Sequence, residues 1–206
     1  AVLAKNDIAT ACFSTEYAQA LSAAAVKAGV QAKVHLKIDT GMGRIGFALR
    51  TDFDAAIREM LAVCELPGLE MTGLFQHFAV ADDNSADNIA YTNEQYQLFV
   101  RAYKALKAAG LEPPLVHCDN SAGVMLHPEW PKGEITASCM ARPGIILYGF
   151  DPSDEVRFGL FRPVMKLKTV VSMIKEMQPG QSASYGRRFT AEKPTKVATL
   201  CTGYAD

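Results

Sequence analysis

The chain has 206 residues, 49% hydrophobic and 21% charged, enough apolar mass for the cores of one or two domains and too much for a disordered chain. Its 21 basic and 22 acidic residues leave a net charge of -1 with no basic run, which excludes the electrostatic footprint of a nucleic-acid binder or an anionic-membrane binder. A small molecule is therefore the default partner.

In chain order, Ser14 or Thr15 is placed to cap a helix through Tyr17, Leu21, Ala24, Ala25 and Ala28, and Gly29 stops it. Lys33 to Asp39 alternates strictly: Val34, Leu36 and Ile38 fall on one side of a predicted strand, and Lys33, His35, Lys37 and Asp39 on the other. After a glycine-rich loop, Thr51-Asp52-Phe53-Asp54 resembles a capping box opening a helix through Ala55, Ile57, Leu61 and Cys64, ended by Pro67-Gly68. Leu69 to Gln76 is the next strand. A long helix follows from Asp87 or Asn88 to Ala109, with Ile89, Tyr96, Phe99, Val100, Tyr103 and Leu106 at helical spacing, before the Pro113-Pro114 break and the strand Leu115 to Cys118. Beyond Asp151-Pro152 the pattern turns β-rich, with Val164 to Met177 and Lys196 to Cys201 separated by a Gln178-Pro179-Gly180 turn.

The alternation of strand and helix predicts a parallel α/β sheet, either doubly wound or part of a (β/α)8 TIM-type barrel. Polar residues gather at the strand C-terminal ends (Asp39-Thr40, Gln76-His77, Asp119-Asn120-Ser121, Arg142), where a barrel builds its site. We expect residues 1–157 to be a partial, cofactor-binding barrel and 158–206 the start of a mostly β C-terminal domain, the whole being the middle of a longer protein. Apolar runs such as Ile145 to Tyr148 are too short to cross a bilayer, and no signal peptide opens the chain. The cysteines Cys12, Cys64, Cys118, Cys139 and Cys201 form no Cys-x-x-Cys pair, which argues against a disulfide framework or zinc knuckle and for a reducing, cytoplasmic setting; Cys118 and Cys139 read as core residues. His35, His117 and His127 lack metal-ligand spacing and read as structural, so no metal is expected.

Gly41, Gly43 and Gly46 satisfy G-x-G-x-x-G after a strand, the dinucleotide fingerprint. In that fold, however, the helix begins within the glycine run, whereas here the capping signal comes five residues after Gly46. A glycine-rich loop without function is the plainer alternative.

Six blocks, in order, carry a specific resemblance: Lys37 to Phe47, Gln76 to Ala79 with Asp82-Asp83, His117 to Ala122, Arg142 to Gly149, Ser184-Tyr185-Gly186 and Gly203-Tyr204-Ala205-Asp206. Together they are similar to the alanine racemase family. The resemblance implies a pyridoxal 5'-phosphate enzyme that interconverts L- and D-alanine and supplies D-alanine for peptidoglycan, working as a homodimer with shared active sites. Racemisation needs a base on each face of a carbanion held by an electron sink. One base in the family is the lysine that anchors the cofactor, whose motif is absent from this segment. The other aligns with Tyr185, a phenol that acts near neutrality only if its neighbours favour the phenolate. The resemblance gives that role to His77 and Arg142. It further implies that Arg142 faces the pyridine nitrogen, that Ser121 with Gly144 and Ile145 binds the phosphate, and that Arg44 reaches the cofactor and the substrate carboxylate. Tyr204 falls at the substrate entrance, and Lys37 is a position for carbamylation beside Arg44. Read without the resemblance, Tyr185 is a strand aromatic packing on its domain, Tyr204 a buried strand-end tyrosine, Arg142 a surface arginine and Asn120-Ser121 a helix cap. The competing functions are a serine or broad-specificity racemase of the same family, a non-catalytic pyridoxal-phosphate-binding protein, and a nicotinamide oxidoreductase.

Overall fold

The structure is a computed structural model that describes residues 1–130 and 133–204. Of the last block above, Ala205 and Asp206 lie outside the described residues. Two compact units divide the chain, Ala1–Pro163 and Val164–Asp206.

The first unit is built on a parallel sheet. Its path runs β1 (Thr10–Cys12), β2 (Ala32–Asp39), β4 (Leu69–Phe75), β5 (Leu115–His117) and β6 (Ser138–Cys139), each hydrogen-bonded to the next. A two-residue strand, β3 (Phe47–Ala48), pairs with the end of β2. Sequential order without reversal is the winding of a barrel, because a doubly wound sheet changes direction at a switch point. Helices α2 (Thr15–Ala28), α3 (Phe53–Cys64) and α4 (Ala86–Ala108) make three of the crossovers, and a one-turn α1 (Val2–Lys5) precedes β1. The core lies between sheet and helices: Val34, Leu36 and Ile38 from β2, Leu74 and Val116 from their strands, and Met60, Val63, Phe99, Tyr103 and Leu106 from the helices are all buried.

Local signals explain most boundaries. Ser14 Oγ accepts the Tyr17 N–H at 3.2 Å to start α2, and Gly29, at φ 63°, ends it in the left-handed conformation that glycine adopts without penalty. The capping box is displaced by one residue. Asp52, not Thr51, caps α3, its Oδ1 accepting the Ala55 N–H at 2.9 Å. In α4 the predicted apolar face also needs correction, since Ile89 is exposed while Thr92 and Gln95 are buried. The first turns of α4 meet the polar loops at the C-terminal ends of the strands, so the inward positions there are polar. Cys118 is buried as expected, but Cys139 is exposed.

The second unit is β-rich. Strands β7 (Val171–Met177) and β10 (Thr195–Leu200) pair antiparallel, and β8 (Ser182–Ala183) with β9 (Phe189–Thr190) forms a small hairpin between them in sequence. The strand expected from Val164 begins seven residues later. Composition rich in β-branched residues marks a preference for pairing, not the presence of a partner.

Candidate active site

A cavity of about 320 Å³ opens at the C-terminal ends of the strands. Its wall includes His77, Ser121, Arg142, Gly144 and Ile145, with Met42 from the glycine-rich loop and Phe78, Ala79 and Asp82 from the loop after β4. The structure therefore brings five of the expected site residues together. Lys37 and Arg44 are not in this wall.

Arg142 is the centre of the arrangement. One Nη nitrogen bonds His117 Nδ1 and donates to the His117 carbonyl at 2.9 Å; the other donates to the Gln76 carbonyl at 2.6 Å and lies 3.3 Å from His77 Nδ1. A guanidinium has five N–H groups and no acceptor. Four are thus engaged by the Nη nitrogens, and Nε–H is the fifth donor. The surface-arginine alternative fails, because these bonds hold the group partly buried, and burial lowers its pKa from the ordinary value.

The same logic fixes the imidazoles. Because arginine only donates, His117 Nδ1 and His77 Nδ1 must both accept, so each neutral ring carries its proton on Nε2. His117 Nε2 lies 2.8 Å from His35 Nδ1, to which it donates, leaving His77 Nε2–H as a donor of its own. Burial, then the charge of Arg142, lowers the His77 pKa to about 4 and that of His117 to about 3. Both rings are neutral near pH 7. His117, assigned only a structural role from sequence, is in direct contact with Arg142. Its position at the C-terminal end of a barrel strand was the available signal.

The Phe75 ring is near two cations, the buried Lys37 and the partly buried Arg142. Its ring centroid is 5.4 Å from Lys37 Nζ and 5.3 Å from Arg142 Cζ, and it stacks on His117 at 4.6 Å. Lys37 is 2% exposed and donates to the Ile38 carbonyl at 2.8 Å. Burial lowers its pKa to about 8 against the opposing pull of Asp39, and the charges of Arg142 and Arg44 lower it further. Arg44 itself is exposed.

Asn120 Oδ1 caps the short helix α5 (Ser121–Leu126) by accepting the Gly123 N–H at 3.0 Å. That frees Ser121, whose Oγ accepts the Gly144 N–H at 2.8 Å. Its own O–H remains a donor. Ile145 opens a 3-10 turn, Ile145–Tyr148, whose leading N–H groups have no partner within the turn.

The glycine loop is not a phosphate cradle of the dinucleotide type. The Gly41 and Gly43 N–H groups donate to Asp39 Oδ1 at 2.9 and 3.1 Å, and the run leads into β3, not into a helix. Gly41 is required there: at φ 137°, a Cβ would stand 2.4 Å from the Tyr91 hydroxyl, which donates to the Gly41 carbonyl.

Tyr185 and Tyr204 belong to the second unit and are 90% and 102% exposed, so neither packs in its own domain. Tyr185 opens a 3-10 turn, Tyr185–Arg187, with two strained residues, Ser184 before it at φ 61° and Arg187 at its end at φ 48°. Non-glycine residues in that region cost of order 1–3 kcal/mol and collect at functional positions. Among the described residues, no group of three or more His, Cys, Asp or Glu side chains is arranged to hold a metal ion.

Fold and site define a parallel βα barrel-type protein whose cavity is lined by a guanidinium, a serine hydroxyl and an imidazole. Residues 1–152 match the family model for the alanine racemase N-terminal domain, and residues 164–206 match that for the alanine racemase C-terminal domain. The chain belongs to the alanine racemase family. It is 41% identical over 206 residues to alanine racemase of Clostridium perfringens, covering 99% of this chain and 50% of that protein. With the Desulfovibrio desulfuricans alanine racemase it shares 44% over 207 residues, covering 100% and 52%. Solved structures of alanine racemases from Clostridium difficile 630 and, with bound L-Ala-P, from Bacillus anthracis superpose with TM-scores of 0.76 and 0.75 at 34% and 32% identity, covering all of this chain and 51% and 50% of theirs. The chain spans about half the length of the curated relatives it matches.

Proposed function

We propose that the full protein containing this chain is a pyridoxal 5'-phosphate-dependent alanine racemase. In this reading it interconverts L- and D-alanine by two-base proton transfer, as a cytoplasmic homodimer, and supplies D-alanine for peptidoglycan. The observation that carries it is the convergence of Arg142, Ser121, Ile145 and His77 on one cavity.

The donor set fits the cofactor. The Ser121 hydroxyl and the Ile145 N–H suit a phosphate, with the Gly144 N–H orienting Ser121 Oγ beside them, and Arg142, which can only donate, suits an unprotonated pyridine nitrogen. When bound, the cofactor supplies an electron sink that acidifies the substrate α-proton. His77, neutral with Nε2–H free to donate, hydrogen-bonds the phenol oxygen of Tyr185 presented by a second copy of the chain and supports it as the second base. The exposed, strained turn holds that phenol away from its own domain, as an intersubunit role requires. Tyr204 and Arg44 contact the substrate. No helix among the described residues is long and apolar enough to cross a membrane.

Lys37 is carbamylated in this reading. As an ammonium it repels Arg44 and Arg142. As a carbamate it becomes an anion able to hold Arg44.

The test uses the full-length protein with pyridoxal phosphate and each alanine enantiomer in deuterated water. Tyr185→Phe should lose α-proton exchange from one enantiomer by a factor of about 100 or more while retaining cofactor absorbance. Equal loss from both enantiomers contradicts the two-base assignment, and no racemisation by the unaltered protein contradicts the function.

A further inference from the structure

Four loops meet at the cavity through a buried polar network that none of the expected site residues accounts for. Gln95, on α4, is fully buried and uses every hydrogen-bonding group of its amide. Its Oε1 accepts the Ala79 N–H at 3.0 Å, and its Nε2 donates to Thr40 Oγ1 and to the His77 carbonyl, both at 3.1 Å. The orientation is unambiguous, since the Ala79 N–H can only donate and the His77 carbonyl can only accept. Thr40 passes the connection on, its hydroxyl donating to Gln76 Oε1 at 2.8 Å. Gln76, also buried, donates through Nε2 to the Cys118 carbonyl at 3.3 Å and accepts Arg142 Nη2 at its own carbonyl.

We propose that Gln95 is a positioning residue for the reaction: it clamps the backbone at the His77 carbonyl and at Ala79 two residues on and, through Thr40 and Gln76, fixes the guanidinium of Arg142. This rests on the racemase reading, in which those two groups act on the phenol and the cofactor. Packing alone does not explain an amide here. A leucine would fill the space without the desolvation cost that a buried amide carries unless fully bonded. The amide provides direction, tying the loop after β2 to the loop after β4. Misplacement of a reacting group by about 1 Å, even from a distant change, is enough to cost rate.

The experiment uses the full-length, cofactor-loaded protein with Gln95→Leu, Gln95→Glu, Thr40→Val and Thr40→Ser. Gln95→Leu should lower kcat about tenfold with KM within about twofold, move the pH-rate profile, and shift the His77 imidazole resonances in histidine-labelled NMR spectra. Gln95→Glu keeps the acceptor for Ala79 but, as a carboxylate, loses both donations; it is the second variant and should also shift His77. Thr40→Val should reproduce the effect, and Thr40→Ser, which keeps the hydroxyl, should restore the kcat lost by Thr40→Val. Unmoved His77 resonances together with an unchanged pH profile, in whichever Gln95 variant folds, overturn the proposal and leave Gln95 a packing residue. If the unaltered enzyme does not racemise alanine, the functional reading falls, and the imidazole resonances still decide whether Gln95 positions His77.

Discussion

Lys37 shows how a residue's chemistry follows from its surroundings. At a pKa of about 8, roughly a tenth of its amine is neutral at pH 7, against a few parts in ten thousand for an ordinary lysine. That neutral amine is a nucleophile toward carbon dioxide: nitrogen attacks carbon, one proton leaves, and a cation becomes an anion. We expect a carbamate carbon signal in full-length protein equilibrated with 13C-bicarbonate, absent from Lys37→Met. An unmodified Lys37 amine in unaltered protein would remove the idea. The sequence showed Lys37 on the polar face of a strand with Asp39, but its burial depends on Phe75 from a neighbouring strand. In the same way the pairing of His35 with His117 spans 82 positions and requires Gly73, where a Cβ would stand 2.8 Å from the His35 ring. Nothing periodic announces such contacts.

At the scale of elements, caps were legible to within a residue and apolar faces to within a turn. Thr51 and Asp52 are both capping residues by type, and only geometry selects between them. Asp52→Ala should therefore cost about 1 kcal/mol of stability, read as a lower urea midpoint at unchanged slope, while Thr51→Ala should fall within about 0.5 kcal/mol. The reverse order would restore the capping box. The long helix α4 shows the other limit. Its stripe was read from Ile89 to Leu106 by hydrophobicity, yet Thr92 and Gln95 share the inward face, each four residues before a buried aromatic, Tyr96 and Phe99. A polar residue inside an apolar stripe was the signal for the network around Thr40 and Gln76. Periodicity reads such a residue as an interruption; the hydrogen bonds show it to be the connection between loops.

The whole molecule inherits a pH dependence from the site. His35, His77 and His117 are all held below the ordinary imidazole value, chiefly by burial. Below about pH 6.5 the unfolded chain takes up protons that the native state refuses, so stability falls as pH falls through that value toward 4 and 3. Asp119 works the other way. Burial raises its pKa from 3.8 to about 6, so between those values the native state holds a proton that the unfolded chain has lost, and stability falls as pH rises there. Three imidazoles oppose one carboxyl, and acid destabilisation wins. His117, 4% exposed, contributes at most one proton, about 1.4 kcal/mol per pH unit. In the full-length protein, His117→Asn should flatten the stability curve between pH 6 and 4 by about that slope, whatever it costs at pH 7. Asp119→Asn should steepen the same limb, because it deletes the opposing titration. Urea midpoints from pH 7 to 4 check both, and an unchanged slope in His117→Asn would mean that this ring is protonated in the native state and cannot accept from Arg142.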